Sequence, residues 1–458
     1  MARERVVDGD GQQDAPAGRD AVTATRDLRV DHRYAADASA RTREPPRPEA
    51  ASHQFVVGDI PAEPPGFRPR VRSLADLDRL GAGVSVIHAA TGRQGLGATQ
   101  LAAAYARAKL AAGWRLVAWV NGADAGSLLA GLAAVADATG LTDDISRPGS
   151  IDAAATVRQW LETDGHLCLL VFDDVSDPKA LQAFVPAHGA ARVLITSDRR
   201  SAANLGSTVP VDVFGAAEAS AFLATRTGLD DEPGAASVAT ELGHLPLALA
   251  LAAPVIRGQR HGYARYLDRL QRIPVEQSPT EGESHRYSYG VARAVLLSVA
   301  AIQAADQTGM CTRVMQIMAV LSAAGVRREL LHVAGRAGVL ASGGRRVEAA
   351  VVDRVLEWLS DRALLTFSMD GQTVVMHRIV ARVLRDGLVR RQRLGAVCWV
   401  AASVLEAHAI AAAGSRHRPG IRGIPHQVTA LLDNAAEAVG EADEELAATL
   451  LRLRFIAL

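Results

Sequence analysis

The segment from Val84 to Leu101 carries the most chemistry. An apolar run, Val84-Ser85-Val86-Ile87-His88, leads through Gly92-Arg93-Gln94-Gly95-Leu96-Gly97 into a helix-forming stretch that begins at Ala98. A strand that turns through glycines into a helix directs backbone N–H groups and the positive end of the helix dipole at one point, which suits a phosphate. Gly92 to Thr99 fits the phosphate-loop template G-x-x-x-x-G-K-[ST] at every fixed position except the lysine, which is Ala98. A lysine there would make a charge-assisted contact worth about 1.5–3 kcal/mol. Its loss weakens binding about ten- to a hundredfold but leaves the amide cradle. Hydrolysis suffers more, because charge on the terminal phosphoryl group must be stabilised in the transition state. A second chemical feature is Leu167-Cys168-Leu169-Leu170-Val171-Phe172-Asp173-Asp174, an apolar strand ending in two carboxylates. Beside a phosphate loop, the first carboxylate holds Mg²⁺ together with Thr99 and the second orients a water. Read alone, it is a buried strand capped by Asp.

The elements that must position these residues follow from patterning. Short apolar runs at Val84–His88, Arg115–Val120, Leu167–Phe172, Arg192–Thr196 and Thr208–Val213 read as strands. Helical stretches at Thr99–Leu110, Ala125–Thr139, Ala153–Glu162 and Pro178–Phe184 separate the first four. Such alternation predicts an α/β fold with a parallel, helix-covered sheet. Beyond Phe214 the strand signal fades into helices at Ala216–Arg226, Pro233–Leu242, Leu247–Gly258 and Tyr263–Arg272, then a polar linker over Gln277–Gly290. Residues 291–386 are mostly helical and end in Leu364–Ser368, Asp370-Gly371 and Thr373–Met376, a hairpin with Asp-Gly at its turn. Three helices and a terminal hairpin are a winged-helix layout. The tail is amphipathic helix broken by a loop at Gly414–Pro425, with no 34-residue period.

Composition sets the outer bounds. With 458 residues, 49% of them hydrophobic, the chain is long enough for two to four domains. Fifty basic residues offset fifty acidic ones, which removes a global pull toward nucleic acid or anionic membrane. All but two of the bases are arginine, so lysine chemistry has only Lys109 and Lys179. Cys168, Cys311 and Cys398 lie far apart in apolar runs and read as buried thiols of a reducing, cytoplasmic protein. No run of eighteen apolar residues predicts a membrane span. Residues 1–54, rich in Arg, Asp, Ala and Pro, read as disordered, and a Pro-rich segment from Ile60 to Arg70 leads into the first domain.

The loop alone leaves two readings open. Thr91-Gly92-Arg93-Gln94-Gly95 also resembles the T-G-x-x-G nucleotide loop of atypical short-chain dehydrogenases, and Tyr105 with Lys109 spells that family's Y-x-x-x-K. The pair, however, lies on the helix directly after the loop, whereas that family carries it several units downstream. The order of Thr196-Ser197-Asp198-Arg199, of Gly243-His244-Leu245-Pro246 and of Met376-His377-Arg378 after the loop and the acidic pair favours another family. Together, over residues 67–386, they resemble the NB-ARC branch of the STAND class of P-loop NTPases, most of all bacterial members that carry tetratricopeptide repeats.

That resemblance implies a P-loop nucleotide-binding α/β domain over 55–230, a helical lid over 231–280 and a winged helix over 285–386. A helical C-terminal region over 387–458 would follow, with a truncated repeat region as one reading. It implies an ADP- or ATP-gated signalling switch whose cradle uses Gly92, Gly95, Leu96, Gly97, Ala98, Thr99 and Gln100. Thr99 and Asp173 would hold Mg²⁺, and Asp173 with Asp174 would be the acidic pair. Thr196 would sit at the sensor strand and Pro246 against adenine. His377 would touch the β-phosphate, and Arg68 or Arg70 would lie at the adenine-side mouth. There are three departures: Ala98 for lysine, Asp198 for a phosphate-sensing arginine, and Arg378 for the Asp of a Met-His-Asp triplet. Two of the three remove contacts to the terminal phosphates, which points to weak or absent hydrolysis. A nucleotide-independent scaffold is the alternative, and an NAD(P)-binding dehydrogenase-like protein a further one. The expected partners are an adenine nucleotide and, through the helical C-terminal region, other proteins or a second copy. Membrane is not expected, and DNA is disfavoured because the resembled winged helix packs on the nucleotide site. The arginines at 378, 382, 385, 390, 391 and 393, at helical spacing, read as a solvated face.

Overall fold

Six strands whose residues are apolar along most of their length line up in parallel. They are β1 (Phe55–Val57), β2 (Gly83–Ala89), β3 (Leu116–Asn121), β4 (Cys168–Asp173), β5 (Arg192–Ser197) and β6 (Ser207–Val211), in the spatial order β1-β3-β4-β5-β2-β6. The computed structural model describes residues 54–89, 94–141, 149–258, 262–273, 289–413, 424–436, 448–449 and 451–453. All but Gln54 of the segment 1–54 expected to be disordered, the cradle residue Gly92, most of the expected linker and most of the loop from Gly414 fall outside these residues.

Both faces of the sheet are covered, as its composition requires. Along β4, Leu169 and Val171 enter one apolar core, whereas Cys168, Leu170 and Phe172 enter the other. The alternation follows from the two-residue period of a strand, and a strand buried on both sides must be apolar at every position. Helices α1 (Val71–Leu80), α2 (Ala98–Ala111), α3 (Ala125–Thr139) and α4 (Ser150–Asp164) cover the sheet. Asp124 caps α3 by accepting from the Ser127 N–H at 2.8 Å.

Helices at Ala216–Thr227, Glu232–Glu241, Pro246–Gly258, Gly262–Arg272 and Tyr289–Ala305 follow the sheet. Three more, Met310–Val320, Arg328–Arg336 and Ala349–Ser360, are interleaved with the strands of a small antiparallel sheet. Its strands β7 (Val326–Arg327), β8 (Leu365–Phe367) and β9 (Thr373–Met376) lie in the order β7-β9-β8. The helix Arg378–Arg390 then leads to Leu394–Ala413 and Ile424–Ala436. The three cysteines are free and buried. Among the described residues no helix is long and apolar enough to cross a membrane.

Four details differ from the sequence reading. β1 and α1 are additional elements: β1 is too short to show a period, and α1 buries only Leu77. Pro178–Phe184 is one α turn, Pro178–Leu181, continued by a 3₁₀ turn. The Pro-rich segment does more than connect. Ala62 N–H donates to Phe367 O and Met369 N–H to Ile60 O, both at 2.8 Å, so this strap pairs with the edge of β8. The arginine run is not one solvated face: Arg378 and Arg385 are partly buried and bonded, while Arg390, Arg391 and Arg393 are exposed. Arg385 reaches the Ala319 carbonyl at 2.6 Å because its helix packs on Met310–Val320.

Candidate functional site

Because the large sheet is parallel, β2, β4 and β5 present their C-terminal ends at one edge. The chain passes from β2 to β3 on one side and from β5 to β6 on the other, so the strand order reverses beside β2. A crevice at such a point is where open α/β sheets take ligands. Here it is a cavity of about 430 Å³, large enough for a small molecule.

The floor of the cavity is the glycine-rich turn. Gly95 (φ 83°) and Gly97 (φ 91°) both adopt left-handed backbone, which glycine reaches without Cβ strain. A Cβ on Gly95 would lie 3.2 Å from Leu247 Cβ, so this turn is pressed against the helix that starts at Pro246. Leu247 N–H donates to Gly95 O at 3.2 Å. Gly97 caps α2 without a side-chain bond, leaving the first-turn N–H groups of Ala98, Thr99 and Gln100 at the helix end, where an α-helix cannot pair them itself. Leu96 contributes backbone alone. Its side chain is buried in the core, and its carbonyl accepts from Arg70 Nη2 at 3.0 Å. Arg70 also stacks 5.2 Å from the Phe214 ring centroid, and burial lowers its pKa.

Asp173 is the polar hub. Its Oδ1 accepts from Thr99 Oγ1 at 2.9 Å and from Thr196 Oγ1 at 2.6 Å, and Asp174 N–H donates to Thr196 Oγ1 at 2.8 Å. The loop, β4 and β5 are thus tied at one carboxyl group, which burial pushes above the usual carboxylate range. Asp174 has left-handed backbone (φ 60°), a costly conformation for a residue with a Cβ. Its carboxyl meets Arg378 Nη1 at 2.6 Å, and Arg378 Nη2 reaches Asp198 Oδ2 at 2.8 Å. Gln94 of the loop donates to the same Asp198 oxygen at 2.8 Å. Burial raises the Asp174 pKa to about 7, with Arg378 opposing and Asp173 and Asp198 adding to the rise.

His377 caps the helix Arg378–Arg390, its Nδ1 accepting from the Ile379 N–H at 3.2 Å. That bond places the ring proton on Nε2, a neutral donor. Burial, then the neighbouring Arg378, push its pKa down to about 3. Pro246 opens its helix and lines the cavity with Thr99, Thr196 and His377. Gln100 also lines it, and its buried Oε1 has no hydrogen-bond partner among the described residues. The described site residues named from sequence therefore converge, apart from the side chain of Leu96 and the buried Asp173, which meets the cavity through Thr99 and Thr196. Two features had no signal strong enough to find them: the wall built from the Pro-rich strap, and the double ion pair of Arg378.

The dehydrogenase-like pair is elsewhere. Tyr105 OH bonds to Asp78 and Arg192, and its pKa is pushed up to about 12, chiefly by burial. Lys109 pairs with the same Asp78 and lies over the Tyr105 and Trp114 rings. Neither residue lines the cavity.

No family model and no curated protein matches the chain. Among solved structures, it is similar to a Signal Transduction ATPase with Numerous Domains (STAND) protein with a tetratricopeptide repeat sensor from Pyrococcus horikoshii. The TM-score is 0.51 at 14% identity, covering 88% of this chain and 54% of that one. The fold is that of a P-loop NTPase. This chain spans about half the length of that structure. More distant are the ORC2 protein of Aeropyrum pernix in ADPNP–ADP complexes, with a TM-score of 0.29 at 15% identity, and Cdc6p of Pyrobaculum aerophilum, with 0.33 at 11%. They cover 72% and 71% of this chain, and 97% of each of those chains is matched.

Proposed function

We propose that the chain is a regulatory switch of the NB-ARC/STAND kind, which binds ADP or ATP and hydrolyses ATP weakly or not at all. The observation that carries this reading is the make-up of one cavity. The glycine turn, the ends of β4 and β5, the start of the Pro246 helix and the His377–Arg378 corner all meet there. A ligand touching all of them is bound most tightly when they are together, so occupancy biases the arrangement of these parts.

The residues suit such a ligand. The α2 N-terminus and the two left-handed glycines form an anion cradle, and the orphaned Gln100 Oε1 offers an acceptor to a ligand N–H or O–H. Neutral His377 offers a donor. Thr99 and Asp173 are adjacent oxygen donors for Mg²⁺. Among the described residues no cluster of three or more His, Cys, Asp and Glu side chains could hold a metal. That fits an ion that takes one or two protein ligands and completes its shell with phosphate and water. Bound Mg²⁺ would neutralise phosphate charge. On the protein side, Asp174 is committed to Arg378 rather than free to orient water. With Ala98 in the loop, this leaves terminal-phosphate chemistry poorly supported.

One observation favours a nucleotide-independent scaffold: the ion pairs of Arg378 join the hairpin region to the sheet by protein contacts alone. On either reading the exposed Trp399 and Ile410 of the helix Leu394–Ala413 offer apolar contact to a protein partner or a second copy. Calorimetric titration of ADP and ATP with Mg²⁺ into wild type and Ala98→Lys decides between them. Saturable binding by wild type, tightened by the lysine, supports the switch. Binding by the lysine variant alone supports the scaffold, and no binding by either at millimolar nucleotide overturns the nucleotide reading.

A further inference from the structure

A nearby cation strengthens phosphate binding, and the lysine position of this loop carries none; Arg93, the one basic residue between Gly92 and Thr99, lies outside the described residues. Ala98 holds the lysine position, Lys109 is engaged with Asp78 and two aromatic rings, and Lys179 belongs to the turn Pro178–Leu181. Neither lysine lines the cavity. Among the described residues, four arginines do: Arg68, Arg70, Arg226 and Arg378. Arg68 donates to Thr225, Arg70 to Leu96 O, and Arg226 to Asp361 O. Arg378 alone of the four pairs with the strand-end carboxylates beside Thr99 and Thr196. That end also carries Asp173, Asp174 and Asp198, three carboxyl groups that would repel a polyphosphate without an opposing charge nearby.

Accepting the nucleotide-site reading above, we propose that Arg378 supplies the phosphate-recognising charge missing from the lysine position at Ala98, delivering it from the helix after β9. Two of its five guanidinium N–H groups account for both ion pairs, and the planar fork can serve further oxygens. It is the first residue of a thirteen-residue helix whose N-terminal N–H groups also favour an anion. Its neighbour His377 is a neutral donor lining the same cavity. Because Arg378 and the glycine turn belong to different parts of the fold, the charge is present only while those parts are apposed. Phosphate affinity then reports closure, which a loop lysine would not do. Arg378 is a binding residue in this scheme, and its carboxylate partners aim it.

The test is a double-mutant cycle on the full chain, read by calorimetry with Mg²⁺-ADP and, separately, with adenosine. Arg378→Ala is expected to weaken ADP about ten- to a hundredfold and to leave adenosine, which has no phosphate, within about twofold of wild type. Ala98→Lys is expected to tighten ADP more in the Arg378→Ala background than in wild type, since either cation can serve the same phosphate. Arg378→Ala that weakens ADP and adenosine together, or equal gains from Ala98→Lys in both backgrounds, would show that Arg378 acts by holding the parts together, and the inference falls. Wild type that binds ADP no better than Arg378→Ala overturns it as well. If neither wild type nor Ala98→Lys binds ADP, the nucleotide reading fails and takes the inference with it.

Discussion

Replacing Asp173 separates what its shape does from what its charge does. Its Oδ1 receives two hydroxyls, and Thr196, the donor at 2.6 Å, is only 2% exposed. Asp173→Ala removes the acceptor from both. The Thr196 hydroxyl loses its acceptor where water cannot easily reach, at about 1–3 kcal/mol. Thr99 lines the cavity, water can replace its acceptor, and about 1 kcal/mol is at stake. The expected loss is therefore about 2–4 kcal/mol. Asp173→Asn keeps an oxygen in the same place and removes the charge. Since burial already disfavours that charge, the Asn variant should lie within about 1 kcal/mol of wild type. Mg²⁺-dependent ADP binding should behave oppositely, falling in both variants because an amide oxygen is a poor magnesium ligand beside a carboxylate. Urea midpoints at unchanged m-value give the stability half, and calorimetry with and without Mg²⁺ gives the other. An Asn variant as unstable as the Ala variant would refute the hydroxyl-acceptor account. An Asn variant with the full magnesium dependence of wild type would refute the metal role.

Three further outcomes follow from the same geometry. The His377 ring stays neutral, so its NMR resonances should not titrate between pH 8 and pH 5. Its folded pKa lies below the ordinary value, so its contribution to stability is present above about 6.5 and is lost as pH falls toward about 3. Asp174 has the opposite sign. Its carboxyl binds a proton more tightly when folded, so wild type should lose stability relative to Asp174→Asn as pH rises from about 4 to about 7. The urea midpoints of the two should then keep a constant separation. Gly58→Ala places a Cβ 1.9 Å from the Trp119 carbonyl oxygen at a φ of 83°, so it should cost at least about 2 kcal/mol and release β1 from β3. Gly387→Ala, with nothing within 4 Å of the added Cβ and a position inside the helix Arg378–Arg390, is the control and should not destabilise.

The parts of the fold legible in the sequence are those whose signal is local and repeated. A strand buried on both faces must be apolar at each step, so Cys168–Phe172 and Arg192–Ile195 could be seen without partners. The glycine turn was visible because left-handed backbone leaves a compositional trace at Gly95 and Gly97. β1 has three residues and a single buried side chain, too little to carry a period, and its place comes from pairing with Leu116–Ala118, which lie beyond β2 in the sequence. The strap is hidden for a related reason. Its Pro and Gly content reads as linker, and the pairing at the edge of β8 uses only the Ile60 carbonyl and the Ala62 N–H on either side of Pro61.

Polar partnership is the least legible layer, because it depends on distance in space and leaves no period in the chain. Asp198 and Arg378 illustrate this. Taken singly along the sequence, each is a departure from a phosphate-binding pattern, one an acid where a base is expected and the other a base where an acid is expected. In the fold they are 2.8 Å apart, and the first accepts from the second. The two positions meet in one ion pair, and Arg378 shares its guanidinium between Asp198 and Asp174. Each member also has a second partner, Asp174 for Arg378 and Gln94 for Asp198. The pair ties the helix after β9 to the end of the sheet. Its cation therefore sits on the part of the fold that carries His377, a placement that no period in the chain announces.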